Sequence, residues 1–225
     1  MRVLLVAATS FEVAPTYEWL QLQCQQIGNH HFKKDFLEVQ VLITGVGLPL
    51  TTYALSKTLH TSKPFDLLIN AGIAGAINPE LHLGQVVQVT SDEFADLGVE
   101  EADGSFTSMH ALDLLPGNQY PFTGGRLLNP QADASFLPSV KALSVNKVHG
   151  NPASIERLKE KYDADIESME GAAFFYVCLM EQVKFLQIRS ISNYVEARNR
   201  DNWNIPLALQ NLNEVLVGML HTLAK

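Results

Sequence analysis

The chain opens on Arg2–Ala8, a continuous apolar run of the kind that fits a strand covered on both faces. Ser10 then stands where it can cap a helix from about Phe11 to Gln26. Asp35–Thr44 alternates enough to predict a strand, and Gly45–Gly47 turns into a helix through about His60. Pro64 separates that helix from Asp66–Asn70, a second buried strand, which ends in the glycine-containing loop Ala71–Ala76. Gly84 opens a further strand, GQVVQVT. From about Glu100 to Leu137 the chain is rich in Gly, Pro, Asn and Ser without firm periodicity, which predicts an excursion or lid rather than core. Lys141–Lys147 reads as a strand, and Asn151–Pro152 as a helix start, a capping side chain followed by proline at the first helical position. The strand Asp165–Glu167, a helix from Glu170 to about Gln182, the strand Lys184–Ser192 and a closing amphipathic helix Pro206–Ala224 follow.

Strands alternating with helices along the whole length predict an α/β sheet with helices on both faces. Neither a repeat nor a linker interrupts the pattern, so residues 1–225 read as one domain. At 225 residues and 47% hydrophobic, the chain can bury one sizeable core. Its net charge of −8 comes from scattered residues, which disfavours a nucleic acid or an anionic membrane as partner. No apolar run reaches the ~18 residues of a spanning helix, and the first segment meets polar residues at once. A buried strand explains that segment better than a signal peptide, and a cytoplasmic location is expected. Cys24 and Cys178 lie in apolar helical patterns without ligand spacing, as buried thiols do. Seven histidines are scattered as well, and no metal is expected.

Candidate chemistry sits where strands end. The loops at Gly45–Gly47 and Ala71–Ala76 are either tight turns or ligand cradles. GVGLPL lacks the third glycine of a dinucleotide fingerprint and the phosphate-loop lysine is absent, so no cofactor is expected. Glu12, two residues beyond the first strand's polar end, is by itself an ordinary first-turn glutamate. Glu170, in IESMEG, is harder to explain blandly. It begins the apolar segment Gly171–Leu179, and a carboxylate at a buried helix start needs hydrogen-bond donors, from backbone amides or from a ligand. The strand that ends RSISNY brings Ser190, Ser192 and Asn193 to the same region.

IESMEG, RSISNY, the position of Glu12, and the stretch NYVEARNRDNW resemble the nucleoside phosphorylase and nucleosidase superfamily, and within it the futalosine hydrolases. That resemblance implies a three-layer α/β/α sandwich with a mixed central sheet. It implies that Glu12 activates the attacking water, that Met169 lies against the sugar and that Glu170 binds its hydroxyls. Val148 marks where backbone groups grip the base, and Ile73 stands where adenine-specific relatives have serine. Asn193 replaces the aspartate of adenine-releasing relatives. Its NH₂ can donate toward N7 and a 6-oxo group together, which points to hypoxanthine. Arg198 or Arg200 pairs with a carboxylate on the 5′ side while Trp203 stacks, or else both arginines line a solvated loop. Neither ATSFEVAP nor NAGIAGAI carries an arginine, so water is favoured over phosphate as nucleophile. Asp92 is expected to support loop geometry; Asp96 and His149 are noted without a role. The implied reaction is hydrolysis of futalosine to hypoxanthine and dehypoxanthine futalosine, in menaquinone biosynthesis, by a homo-oligomer. Another purine nucleosidase or phosphorylase, or a non-catalytic nucleoside-binding protein, is the alternative.

Overall fold

In the computed structural model, which describes residues 1–131 and 136–224, the first strand, β1 (Arg2–Ala7), is buried on both faces as its apolar run requires. Leu4 and Val6 join one core, whereas Val3, Leu5 and Ala7 join another on the opposite face. The parallel neighbours of β1 are β4 (Leu37–Ile43) and β5 (Leu67–Ala76). Helices α2 (Leu48–Thr61) and α4 (Gly171–Met180) close the first core, and α1 (Ala14–Gln23) with α5 (Ile205–Leu223) the second. The result is a mixed sheet between two helical layers. Helix α3 (Pro152–Lys161) packs Ile155 and Leu158 on Leu143 and Val145. Its start is capped as the sequence suggests: the Asn151 side chain accepts from the amides of Ala153 and Ser154, ahead of Pro152.

Strand β5 is the axis of the sheet. It runs parallel to β13 (Phe185–Tyr194) over its whole length, and past Gly75 it also pairs antiparallel with β12 (Ile166–Ser168). From β12 the pairings continue through β11 (Ser139–Ser144) and β6 (Val86–Asp92) back to β13, so five strands close a ring. The segment Ala71–Ala76 is therefore strand and not the loop that its glycines suggest. Small residues are needed there because neighbours press close. A Cβ on Gly72 would stand 2.7 Å from Glu12 Oε1, and one on Gly75 3.0 Å from a Val195 methyl.

Other departures have local causes. The helix expected over Phe11–Gln26 splits into a 3-10 turn (Ser10–Val13) and α1, with Pro15 in the first turn of the latter, and Thr9 rather than Ser10 is the capping residue. Gln25–Lys34 forms an edge hairpin, β2 (Gln25–Gly28) with β3 (His31–Lys34), reversed through His30 at φ +51°. In the expected excursion, β7 (Gly98–Glu100) and β8 (Phe106–Ser108) form a separate hairpin. However, β9 (Phe122–Thr123) and β10 (Arg126–Leu128) join the main sheet against β6 and bury Phe122 and Leu127. Part of that region is thus core, while residues 132–135 lie outside the described ones. Cys178 is buried as expected, but Cys24 is only half-buried. Among the described residues, no helix is long and apolar enough to cross a membrane.

Candidate active site

Glu12 is positioned by the turn that leaves β1. With Thr9 extended at the turn's start, the Glu12 carboxylate reaches back and Oε2 accepts from the Thr9 amide (2.9 Å) and Thr9 Oγ1 (3.1 Å). Its other oxygen, Oε1, accepts from the Ile73 amide at 3.2 Å in the middle of β5. Ile73 thus contributes its backbone to the site, and only 7% of Glu12 is exposed.

Glu170 caps α4 in position but not through its side chain. Its Oε1 accepts instead from the amide of Gly47, whose φ of +106° favours glycine, so the Gly45–Gly47 turn serves a carboxylate. Eight of the ten residues of α4 are buried, which gives the helix no freedom to tilt Glu170 outward. Gly171 is required here as well, because a Cβ would lie 2.0 Å from Asp92 Oδ2. Met169, half-buried, precedes Glu170 at the exit of β12.

Between these acids lies a residue that the sequence reading missed. Arg189, 1% exposed, donates from Nη2 to Asn70 Oδ1 (2.6 Å) and from Nη1 to the Ile188 carbonyl (3.0 Å). Its Nε is buried without a partner. Burial pulls the Arg189 pKa down, while Glu170, Glu12 and Asp92 favour the charged guanidinium. Burial likewise raises Glu170; Arg189 opposes that shift and the charge of Glu12 adds to it. A charged residue inside the apolar run FLQIRSI was the available signal, since an arginine there has to be paired. Arg189, not Arg198 or Arg200, is thus the arginine that stands beside these acids. Two carboxylates flank Arg189, and Nη1 and Nη2 each already donate within the fold.

Asp92 reinforces the same region. Its carboxylate accepts from Ser144 Oγ (2.9 Å), Gln187 Nε2 (3.0 Å) and the Glu93 amide (2.9 Å), and Ser144 Oγ in turn accepts from the amide of Ala172 at 2.7 Å. Burial nevertheless pushes Asp92 up to about 6. The role foreseen for it, support of nearby geometry, extends to the first turn of α4.

Asn193 stands at the end of β13, half-buried. Ser192 Oγ donates to its Oδ1 at 2.8 Å, and its Nδ2 donates to the Tyr194 carbonyl at 3.0 Å. That arrangement turns the NH₂ toward Gly75, 3.2 Å from where a Cβ would be. One N–H is already engaged, so in this conformation the amide has a single donor to offer, not the pair expected from sequence. Val148 is half-buried in the loop after β11 and packs against the cluster that holds Leu143 and Val195. Beside it, His149 gives its amide to Glu167 Oε1 (3.0 Å) and sets Nδ1 against Glu167 Oε2. Asp96 is engaged elsewhere, with the amide and side chain of Asn146. Arg198 packs on Gly150 and lies over the Trp203 ring at 5.6 Å. Arg200 is exposed in a 3-10 turn (Arg200–Asn202), and no contact among the described residues brings its side chain to this group.

The fold thus gathers Glu12, the Ile73 amide, Arg189 and Glu170 around one point and sets Asn193, Gly75 and the His149–Glu167 pair further along β5. Two buried carboxylates with one buried cation can orient a polar nucleophile and hold hydroxyls. A groove of about 1060 Å³ lies elsewhere, between α5 and the beginnings of β5 and β13, where Leu67, Val86, Phe185 and Met219 line it. Lys184, Asn211 and Glu214 also border it, and it carries none of these groups. Among the described residues, no cluster of His, Cys, Asp and Glu has a metal-holding arrangement.

The model of the phosphorylase superfamily matches residues 2–221 of this chain. Futalosine hydrolase of Streptomyces coelicolor is 32% identical over 159 residues, 70% of this chain and 66% of that protein. Futalosine hydrolase of Thermus thermophilus is 30% identical over 80% of each chain. A 5′-methylthioadenosine/S-adenosylhomocysteine nucleosidase of Haemophilus ducreyi is 27% identical over 81% of this chain and 80% of its own. Among solved structures, futalosine hydrolase of Helicobacter pylori superposes with a TM-score of 0.78 at 16% identity, covering 99% of this chain and 98% of the other. With a family match over nearly its whole length, and the three-layer architecture in agreement, this chain belongs to the phosphorylase superfamily.

Proposed function

We propose that the protein hydrolyses the N-glycosidic bond of a purine nucleoside, with futalosine as substrate and hypoxanthine as the base released. The carrying observation is the buried set of Glu12, Arg189 and Glu170 beside an asparagine amide whose carbonyl oxygen is already occupied by Ser192. In this reading Glu170, anchored on Gly47 through one oxygen, uses its remaining lone pairs for the ribose hydroxyls while Met169 supports the sugar. Glu12, fixed by three donors, accepts a proton from water on the face opposite the base. Positioned base catalysis of this kind contributes ~10²–10⁴-fold. As the glycosidic bond lengthens, the sugar carbon becomes cationic and the two carboxylates stabilise it. The electron pair of that bond leaves with the purine, toward which Asn193 directs its free N–H. Hypoxanthine leaves as an anion more readily than adenine does, so a hydrogen bond suffices where adenine needs an acid.

Hydrolysis is favoured over phosphorolysis because an inorganic dianion would meet two carboxylates and an arginine whose Nη groups are engaged. The 5′ substituent is assigned to the Arg198–Trp203 pair, whose stacked guanidinium suits a carboxylate. In this reading the protein acts in menaquinone biosynthesis, in the cytoplasm. A homo-oligomer fits the exposed apolar residues Val46, Leu50 and Tyr53 on and before α2. The second reading, release of adenine from methylthioadenosine, is favoured by relatives such as the Haemophilus ducreyi nucleosidase and opposed by Asn193.

The deciding experiment offers the purified protein futalosine, inosine and methylthioadenosine, with and without phosphate, and follows free base and sugar product. Hypoxanthine from futalosine without phosphate is the expected result. Adenine from methylthioadenosine alone, or a sugar phosphate formed only when phosphate is present, would overturn the reading.

A further inference from the structure

Gly75 is flanked on both sides by polar residues in register. Asn193 on β13 pairs with it in parallel and Glu167 on β12 pairs with it antiparallel. Directly paired residues of neighbouring strands project to the same face. Two strand spacings separate the Asn193 and Glu167 backbones, on the order of 10 Å, with a residue between them that has no side chain. Val195 and the Asn193 amide cover Gly75 itself, so a flat bicyclic base would lie beyond them, past the strand ends, with a hydrogen bond of about 2.9 Å at each edge.

The two edges differ in what they offer. On the Asn193 side the amide presents an N–H donor, because Ser192 occupies its oxygen. On the other side Glu167, 4% exposed, directs both oxygens to one residue, taking the His149 amide on Oε1 and facing His149 Nδ1 with Oε2. A carboxylate oxygen accepts, so a His149 ring carrying one proton holds it on Nδ1 facing Glu167 and presents Nε2 as an acceptor. A donor on the Asn193 side and an acceptor on the His149 side complement O6 and N1–H of a 6-oxopurine. A 6-aminopurine has the opposite pattern, an amino donor beside a bare N1.

We propose that His149 is a specificity-determining residue, whose Nε2 accepts the N1–H of a 6-oxopurine base, and that Glu167 is the positioning residue that sets its tautomer. This rests on the purine-nucleosidase reading above and deepens it: Asn193 alone does not complete base selection.

The test compares the wild type with His149→Ala and Glu167→Gln. Binding of hypoxanthine, 1-methylhypoxanthine and adenine is measured by calorimetry, and kcat/KM on 6-oxo- and 6-aminopurine nucleosides that share one sugar is measured in parallel. Wild type is expected to bind hypoxanthine about tenfold or more tightly than its N1-methyl derivative, and His149→Ala to lose that difference. In Glu167→Gln the new amide donates to Nδ1 and moves the ring proton to Nε2, so preference shifts toward adenine. A misfolded variant cannot imitate that reversal. Equal sensitivity to N1-methylation in wild type and His149→Ala, with no shift in Glu167→Gln, would overturn the inference. The nucleosidase reading would still stand if hypoxanthine were released. Conversely, absence of turnover would sink that reading while the base titrations still decide the role of His149; failure of wild type to bind hypoxanthine would sink both.

Discussion

Gly72 lies under the proposed general base, and adding one methyl group there probes the mechanism without touching a polar atom. In Gly72→Ala the new Cβ would stand 2.7 Å from Glu12 Oε1, closer than carbon and oxygen approach without bonding. Its next contacts, Arg189 Cζ and Nη1 at 3.6 Å, are ordinary. The Gly72 backbone is not in the left-handed region, so alanine fits the strand and the fold should survive. The carboxylate therefore moves by roughly half an ångström or more, and the bond from the Ile73 amide to Oε1, already 3.2 Å long, is the first to break. Misplacement of a reacting group by about 1 Å costs up to ~10²-fold. We expect kcat to fall by about 10- to 100-fold, with product-base affinity unchanged because Asn193 and the far end of β5 are untouched. Steady-state kinetics on futalosine, paired with calorimetric titration of hypoxanthine and a thermal melt, would read this. Wild-type turnover in a folded Gly72→Ala protein would refute the assignment of Glu12 as the base that this structure holds in place.

Glu12→Gln should remove turnover by ~10²-fold or more while hypoxanthine still binds, as a rapid-quench assay would reveal. Asn193→Asp sets a carboxylate oxygen against the Tyr194 carbonyl and O6 of the base, so kcat/KM on 6-oxopurine nucleosides should drop about tenfold or more; an unchanged value would contradict the base-recognition argument. Asp92 is pushed by burial from 3.8 to about 6, so between those values the folded chain binds more protons than the unfolded one and stability declines as pH rises. Asp92→Asn should abolish that decline, worth ~3 kcal/mol, since Gln187 can rotate its unpartnered Oε1 toward the new amide; urea unfolding at pH 4 and pH 7 would measure it. Arg189→Leu leaves Glu12, Glu170 and Asp92 without their cation, and about 3–5 kcal/mol of stability should go with it in chemical denaturation.

Much of the architecture is legible from local pattern. The apolar run of β1, the Asn151–Pro152 helix start and the wholly apolar α4 each state their environment directly, because burial on all sides leaves no polar position to confuse the period. Ala71–Ala76 misleads for the opposite reason. Its glycines look like turn residues, yet they are small because Glu12, Asn193 and Val195 press on the strand, a tertiary demand that no local rule contains. The β2–β3 hairpin is hidden by exposure: all four residues at Ile27–His30 lie in the open and carry no hydrophobic period. In the site, Glu12 and Glu170 are legible as acids in unusual positions, while Arg189 is recognisable only once its strand is known to be buried on both faces. His149 and Glu167 are invisible as a pair, since 18 residues and a helix separate them in the chain.

Glu167 and Glu170 are three positions apart on one stretch, both locked in place, one in the middle of β12 and the other at the head of a largely buried helix. Whatever bridges the His149 side and the Gly47 side is consequently measured against a fixed span. On the proposed reading, a pyrimidine nucleoside, one ring shorter, would reach either terminus but not both, so these two acids would gauge ligand length independently of any hydrogen-bond pattern.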